Sequence, residues 1–185
     1  MTDAPPPWSA PLRPAELAGR KPNRFDLRPD AETRAAIAAW AGIEALNSLR
    51  LNGTLTPQGR SDWTLQAEFE AEVVQSCVIT LAPVTTRLSE GVLRHYLAEM
   101  PEPEGDEIEM PEDDTSEPLP AVIDLGAVAL EVLELALPLY PRAPGAELDE
   151  TVVTEPGAVP MRDEDARPFA NLRDLLTKKD DTDGN

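Results

Sequence analysis

The chain has 185 residues, with 35 acids against 16 lysines and arginines and a net charge of −19, a length that suits one domain plus tails. Such a charge opposes nonspecific attraction to nucleic acid or to anionic membrane, and it favours solubility and basic partners. There is no run of about 18 apolar residues for a membrane span, the Met1–Pro7 start has no secretory pattern, and the single cysteine, Cys77, excludes an internal disulfide or two-cysteine metal site and fits a cytoplasmic location.

Residues 1–10 are proline-rich and aperiodic and read as a mobile, disordered tail. Arg13, Arg20, Lys21, Arg24 and Arg28 follow, in the one stretch where positive charge dominates, with Phe25 and Leu27 on one face of a possible short strand. Asp30 then suits the cap of an alanine-rich helix ending near Gly42, with Ala36, Ile37 and Trp40 on one face. Leu46–Thr56 and Trp63–Leu81 read as a hairpin around the turn residues 57–62. In its second strand Trp63, Leu65, Ala67, Phe69, Ala71 and Val73 alternate with polar residues, which buries one face and wets the other. Val84–Met100 carries both β-branched residues and a helical spacing of Leu93, Tyr96, Leu97 and Met100; the expectation adopted is a strand ending near Ala98.

Residues 99–118 hold ten acids and no lysine or arginine, interrupted by prolines. Self-repulsion predicts a disordered acidic insert that supplies more than half of the net charge. Asp124 then caps a helix to about Leu137, with Leu125, Val128, Ala129, Val132, Leu135 and Ala136 on an apolar stripe that Leu130, Leu133 and Leu137 widen; Pro138 and Pro141 stop it. After an irregular acidic stretch, Pro168 opens a short amphipathic helix anchored by Phe169, Leu172 and Leu176. Residues 178–185 read as a disordered polar tail.

Chemistry-bearing motifs are scarce. His95 is the one histidine, so a catalytic triad would have to pair it with Cys77, and no supporting motif surrounds either. A free cysteine at the end of a strand behaves more often as a small hydrophobe. Glycine-rich phosphate cradles and calcium-loop spacing are both lacking. The residues predict no enzyme, cofactor, metal or small-molecule substrate. Arg13, Arg20, Lys21, Arg24 and Arg28 are a modest candidate for partner binding, phosphate included; the plainer reading is that they offset nearby acids.

Three ordered segments carry a resemblance. Ala71–Val84, Ile123-Asp124-Leu125-Gly126 continued to Pro141-Arg142, and Arg167-Pro168-Phe169-Ala170-Asn171-Leu172 resemble the YceD-like family, the large ribosomal RNA subunit accumulation proteins of bacteria and plastids, across roughly residues 10–177. The chain departs from the family's Cys-x-Arg-Cys at Cys77-Val78-Ile79-Thr80, so no role of a cysteine pair carries over. The resemblance implies support of large-subunit (23S) ribosomal RNA accumulation and large-subunit assembly without catalysis. Its implied partner is ribosomal RNA, a precursor large-subunit particle or a basic ribosomal protein. The alternative is an acidic chaperone or adaptor for a basic protein unconnected with ribosomes. The expected fold is α+β in a single domain over 11–177: a mainly antiparallel sheet from residues 10–98, packed by helices near 30–41, 124–137 and 168–177.

Overall fold

The computed structural model describes residues 6–100 and 115–147 of the chain. Its centre is the hairpin of β3 (Ala45–Gln58) and β4 (Asp62–Ser76). Strict alternation in β4 turns Leu65, Phe69 and Val73 inward, and register sets Leu55 opposite Leu65 and Leu51 opposite Phe69. All five are fully buried, each a gain of about 1.5–3 kcal/mol over an exposed side chain. The two backbones come very close at Gly53, where a Cβ would meet the Gln66 carbonyl oxygen and lie 2.6 Å from Ala67 Cα, so this strand position requires glycine.

β5 (Pro83–Leu97) pairs antiparallel with β4 in unbroken register, which resolves the ambiguity at 84–100 in favour of a strand. β2 (Asn23–Leu27) flanks β3, and β6 (Ser116–Pro118) flanks β5 in parallel, giving the order β2-β3-β4-β5-β6. A separate two-stranded pairing joins β1 (Pro11–Leu12) to β7 (Ile123–Asp124). Helices α1 (Ala31–Trp40) and α2 (Leu125–Ala136) complete an arrangement of sheet and helix consistent with the α+β expectation.

Several expectations need correction. The second hairpin strand stops at Ser76, because Cys77–Leu81 turns sharply and Leu81 adopts a φ of 59°. The sheet is mixed and reaches beyond residue 98: the end of the acidic insert is strand β6, held by backbone bonds and by Arg94. Residues 101–114 of that insert, the helix near 168–177 and the tail 178–185 lie outside the described residues. Ser9 and Ala10, assigned from sequence to a mobile tail, are held by Asp124 instead, and Trp8 packs against the core. In α1 the inward pair is Ile37 and Ala38, while Ala36 and Trp40 are exposed. In α2 Leu130 and Leu133 are buried but Leu135 is 81% exposed, since the helix seats on one face only.

Candidate interaction surfaces

One face of the sheet carries the core and the other is open. On the open face β4 presents Glu68, Glu70 and Glu72, bordered by arginines from its neighbours. Arg50 reaches Glu70 at 3.7 Å and Asp26 at 2.9 Å, and Arg87 reaches Glu72 at 3.1 Å. Hydrogen bonds from Arg50, with help from Arg28, pull the Asp26 carboxyl down to about 2. Donation by Asn47, then Arg87, likewise lowers Glu72. The face is therefore a lattice of exposed, mostly paired charges, each pair contributing little to stability. Near its middle lies a shallow depression of about 630 Å³ lined by Asn52, Gly53, Thr54, Gln66, Glu68, Gly91 and Leu93 among others.

The five basic residues singled out from sequence do not form one patch. Arg13 sits in a 3-10 turn region and pairs with Glu16 at 3.7 Å, and Arg28 pairs with Asp26 at 3.4 Å. Arg20, Lys21 and Arg24 remain exposed, with no ion pair to a described residue. Asn23 fixes the loop that carries Arg20 and Lys21: its side-chain amide donates to the carbonyls of Lys21 (3.1 Å) and Leu55 (3.3 Å) and its oxygen accepts from Ala18 N–H, holding residues 18–21 beside β3, while Arg24 follows on β2 itself. The structure thus keeps a basic trio at the β2 flank and withdraws the outer two arginines.

Two residues anchor the opposite flank. Asp124 caps α2 through Gly126 N–H (2.9 Å) and Ala127 N–H (3.3 Å), and also accepts from Ala10 N–H (2.7 Å) and Ser9 Oγ (2.6 Å). Burial opposes its charge, but these donors outweigh it and hold the carboxyl below its ordinary value. Gly126 is required beside it, because a Cβ there would lie 2.9 Å from Ala10 N and Ser9 Cα. Arg94, 16% exposed, reaches from β5 to Glu117 of β6 (3.0 Å) and Glu131 of α2 (2.8 Å), clamping three elements together. Sequence reasoning passed over Arg94; once β5 is a strand, period-2 counting from Leu88, Val92 and Tyr96 puts it on the inward face.

Cys77 is fully buried in the β4–β5 turn. Its sulfur accepts from the N–H groups of Ala143 (3.3 Å), Ile79 (3.4 Å) and Thr80 (3.4 Å). Donation from Ala143 first, then Thr80 and Ile79, outweighs burial and pulls the thiol down to about 6. The turn is tied to the segment after α2 a second time by Val78 N–H to Pro141 O, at 2.9 Å. His95 stands at the other end of β5, opposite Thr64, whose hydroxyl lies 3.1 Å from Nδ1. Twelve residues of extended β4 separate Thr64 from Ser76, about 40 Å of strand, so Cys77 and His95 cannot act on one substrate. Among the described residues no cluster of three or more His, Cys, Asp or Glu could hold a metal, and no helix is long and apolar enough to cross a membrane.

Most of β4 and the elements after it through α2 fall within a segment that matches a known family. Residues 65–176 match the family model for large ribosomal RNA subunit accumulation protein YceD. The chain belongs to the YceD family. No curated protein and no solved structure matches it. The matched segment includes the Cys77 turn, Arg94 and the Asp124 cap, and it excludes β2, α1 and the basic trio. Ser9 and Ala10, which complete the Asp124 site, come from outside it.

Proposed function

We propose that this protein is a non-enzymatic factor of the bacterial cytoplasm that supports accumulation of 23S ribosomal RNA and assembly of the large ribosomal subunit. Membership of the YceD family carries the reading, since the family is described by accumulation of large-subunit ribosomal RNA. The partner is ribosomal RNA, a precursor large-subunit particle or a basic ribosomal protein. A chain of net charge −19 is repelled by bulk RNA, so the contact is local: phosphate at Arg20, Lys21 and Arg24, or a basic protein at an acidic surface. The separation of Cys77 from His95 supports a binding role over the one catalytic pairing the sequence offered. The test is depletion of the protein followed by sucrose-gradient profiles and ribosomal RNA quantification during rapid growth and cold stress. Large-subunit particles and 23S RNA are expected to fall relative to the small subunit, and an unchanged ratio would sink the assignment.

A further inference from the structure

Strand β5 is covered by β4 from Pro83 to Tyr96 but by β6 only at His95–Leu97. The His95 N–H donates to Thr115 O and the Leu97 carbonyl accepts from Leu119 N–H, both at 2.8 Å on the outer side. In a strand, alternate residues direct both backbone polar groups to the same side. Since the register with β4 is unbroken back to Pro83, Leu93, Gly91, Ser89, Arg87 and Thr85 also face outward. Among the described residues nothing pairs with these outward groups.

Exposed edges are normally blunted by proline, a bulge or an inward charge on a short strand. This edge has no proline between Val84 and Leu97 and no bulge; its inward charge, Arg94, lies beyond Leu93 and is held by Glu117 and Glu131, which leaves Arg87 and Glu90 as the charges on the open stretch. At Gly91 there is open space where a side chain would stand. Two depressions meet there. On the open face lies the one containing Glu68 and Leu93; on the other side lies one of about 280 Å³, lined by Glu90, Gly91, Val132, Leu135 and Ala136. Leu93 and Leu135 are 49% and 81% exposed, so each face offers an apolar anchor beside the edge.

Charge selects the guest. Arg87 is engaged by Glu72, and Arg94 by Glu117 and Glu131. Glu68 and Glu90 lie on either face of Gly91; among the described residues neither has a cation within 4 Å, and Arg50, which Glu68 attracts from a distance, is held by Asp26 and Glu70. The unspent charge at the edge is therefore negative on both faces, which disfavours a second copy of this chain and favours a cation. We propose that the β5 edge from Thr85 to Leu93 is a strand-acceptor site for an extended, lysine- or arginine-bearing segment of a protein partner. Segment 116–118 already adds to this edge as β6, and the guest continues the sheet beside it. The site deepens the proposed function, and rests on it only in placing the partner among components of the large-subunit precursor.

The probe is a nine-residue peptide of alternating lysine and valine, added to the full chain while amide exchange is followed by NMR. Binding is expected to slow exchange at Thr85, Arg87, Ser89, Gly91 and Leu93 at least ten-fold and to leave Leu88, Glu90 and Val92, already bonded to β4, unchanged. Ser89→Pro removes one outward N–H at a position where an edge strand tolerates proline, and is expected to abolish that protection. The double variant Glu68→Lys, Glu90→Lys changes exposed charges alone, and is expected to weaken the lysine peptide at least ten-fold and admit a glutamate–valine peptide. The proposal is overturned if the outward amides are already protected in the free protein, if both peptides protect equally, if protection falls elsewhere, or if a single-stranded RNA oligonucleotide protects these amides in the peptide's place. These readings need no ribosome, so a normal subunit ratio after depletion would end the assembly reading and leave the acceptor edge standing.

Discussion

The two flanks of the five-stranded sheet differ in charge and in how they are finished. At the β2 flank Arg20, Lys21 and Arg24 are free of ion pairs to described residues, and Asn23 fixes the loop of the first two against β3. At the β5 flank the arginines are spent on Glu72, Glu117 and Glu131, leaving Glu68, Glu90 and a row of outward backbone groups. A net charge of −19 therefore gives the sign of the β5 flank and not that of the β2 flank. What decides the local sign is which charges the register has already paired.

The largest expected effect breaks the helix that supports the β5 flank. Val128 is 6% exposed beneath α2 and Leu135, on the same helix, is 81% exposed. Val128→Asp places an uncompensated charge in the core and is expected to destabilise the domain by several kcal/mol, whereas Leu135→Asp should stay within about 0.5 kcal/mol. Urea titrations of the two variants read the contrast. Equal losses would mean that α2 is buried on the Leu135 side as well.

The turn joining β4 to β5 gives the next effect, and it depends on pH. Cys77 has an ordinary value of 9.0 and is pulled to about 6 in the fold, chiefly by Ala143 N–H. A lowered folded value favours the thiolate, so its stabilisation is complete above pH 9 and is lost as pH falls through 6. The stability difference between the natural chain and Cys77→Ala should accordingly be larger at pH 9 than at pH 5.5, while the packing loss is common to both. Because the sulfur is fully buried, thiolate character should not bring reactivity: alkylation of the native chain should track opening of the turn. A pH-independent difference would show that the three N–H contacts do not favour the thiolate.

Legibility followed the range of the interaction. The hairpin, both described helices and the Asp124 cap were readable because alternation, capping residues and prolines act within a few residues of one another. The ends of segments were not. Nothing near Ser9 announces a partner 115 residues away, and nothing in the acid-rich run before Glu117 distinguishes the residue that meets Arg94. The stripe of α2 misled at Leu135 because ten of the twelve residues are apolar or glycine, and only Glu131 and Glu134, four and one positions before Leu135, mark the side turned away from the core. Of the candidate site, the basic residues were visible as a cluster in sequence. Their division into a free trio and two paired arginines depended on Glu16 and on the placement of Asp26 beside Arg28 and Arg50. The β5 edge was invisible, since a missing neighbour leaves no mark on the strand that lacks it.

The smallest effect on the fold is expected at the β2 flank, and it separates the two modes of action. Arg20→Gln, Lys21→Gln and Arg24→Gln together remove three exposed cations that no described carboxylate engages, so the urea midpoint should not move. Phosphate contact by the trio would release counterions, and neutralising it should then lower the salt-dependence slope of RNA binding by about 2–3, at roughly 0.7–0.9 per phosphate. The readout is affinity for a fragment of 23S precursor across a salt series, natural chain against triple variant, with Arg13→Gln as the control because Glu16 already pairs with Arg13. A slope that falls for the triple variant and holds for the control places RNA at the β2 flank. Should both slopes stay as they are while the lysine peptide still binds the β5 edge, the acidic flank alone meets the partner, and the basic trio serves only to offset neighbouring acids.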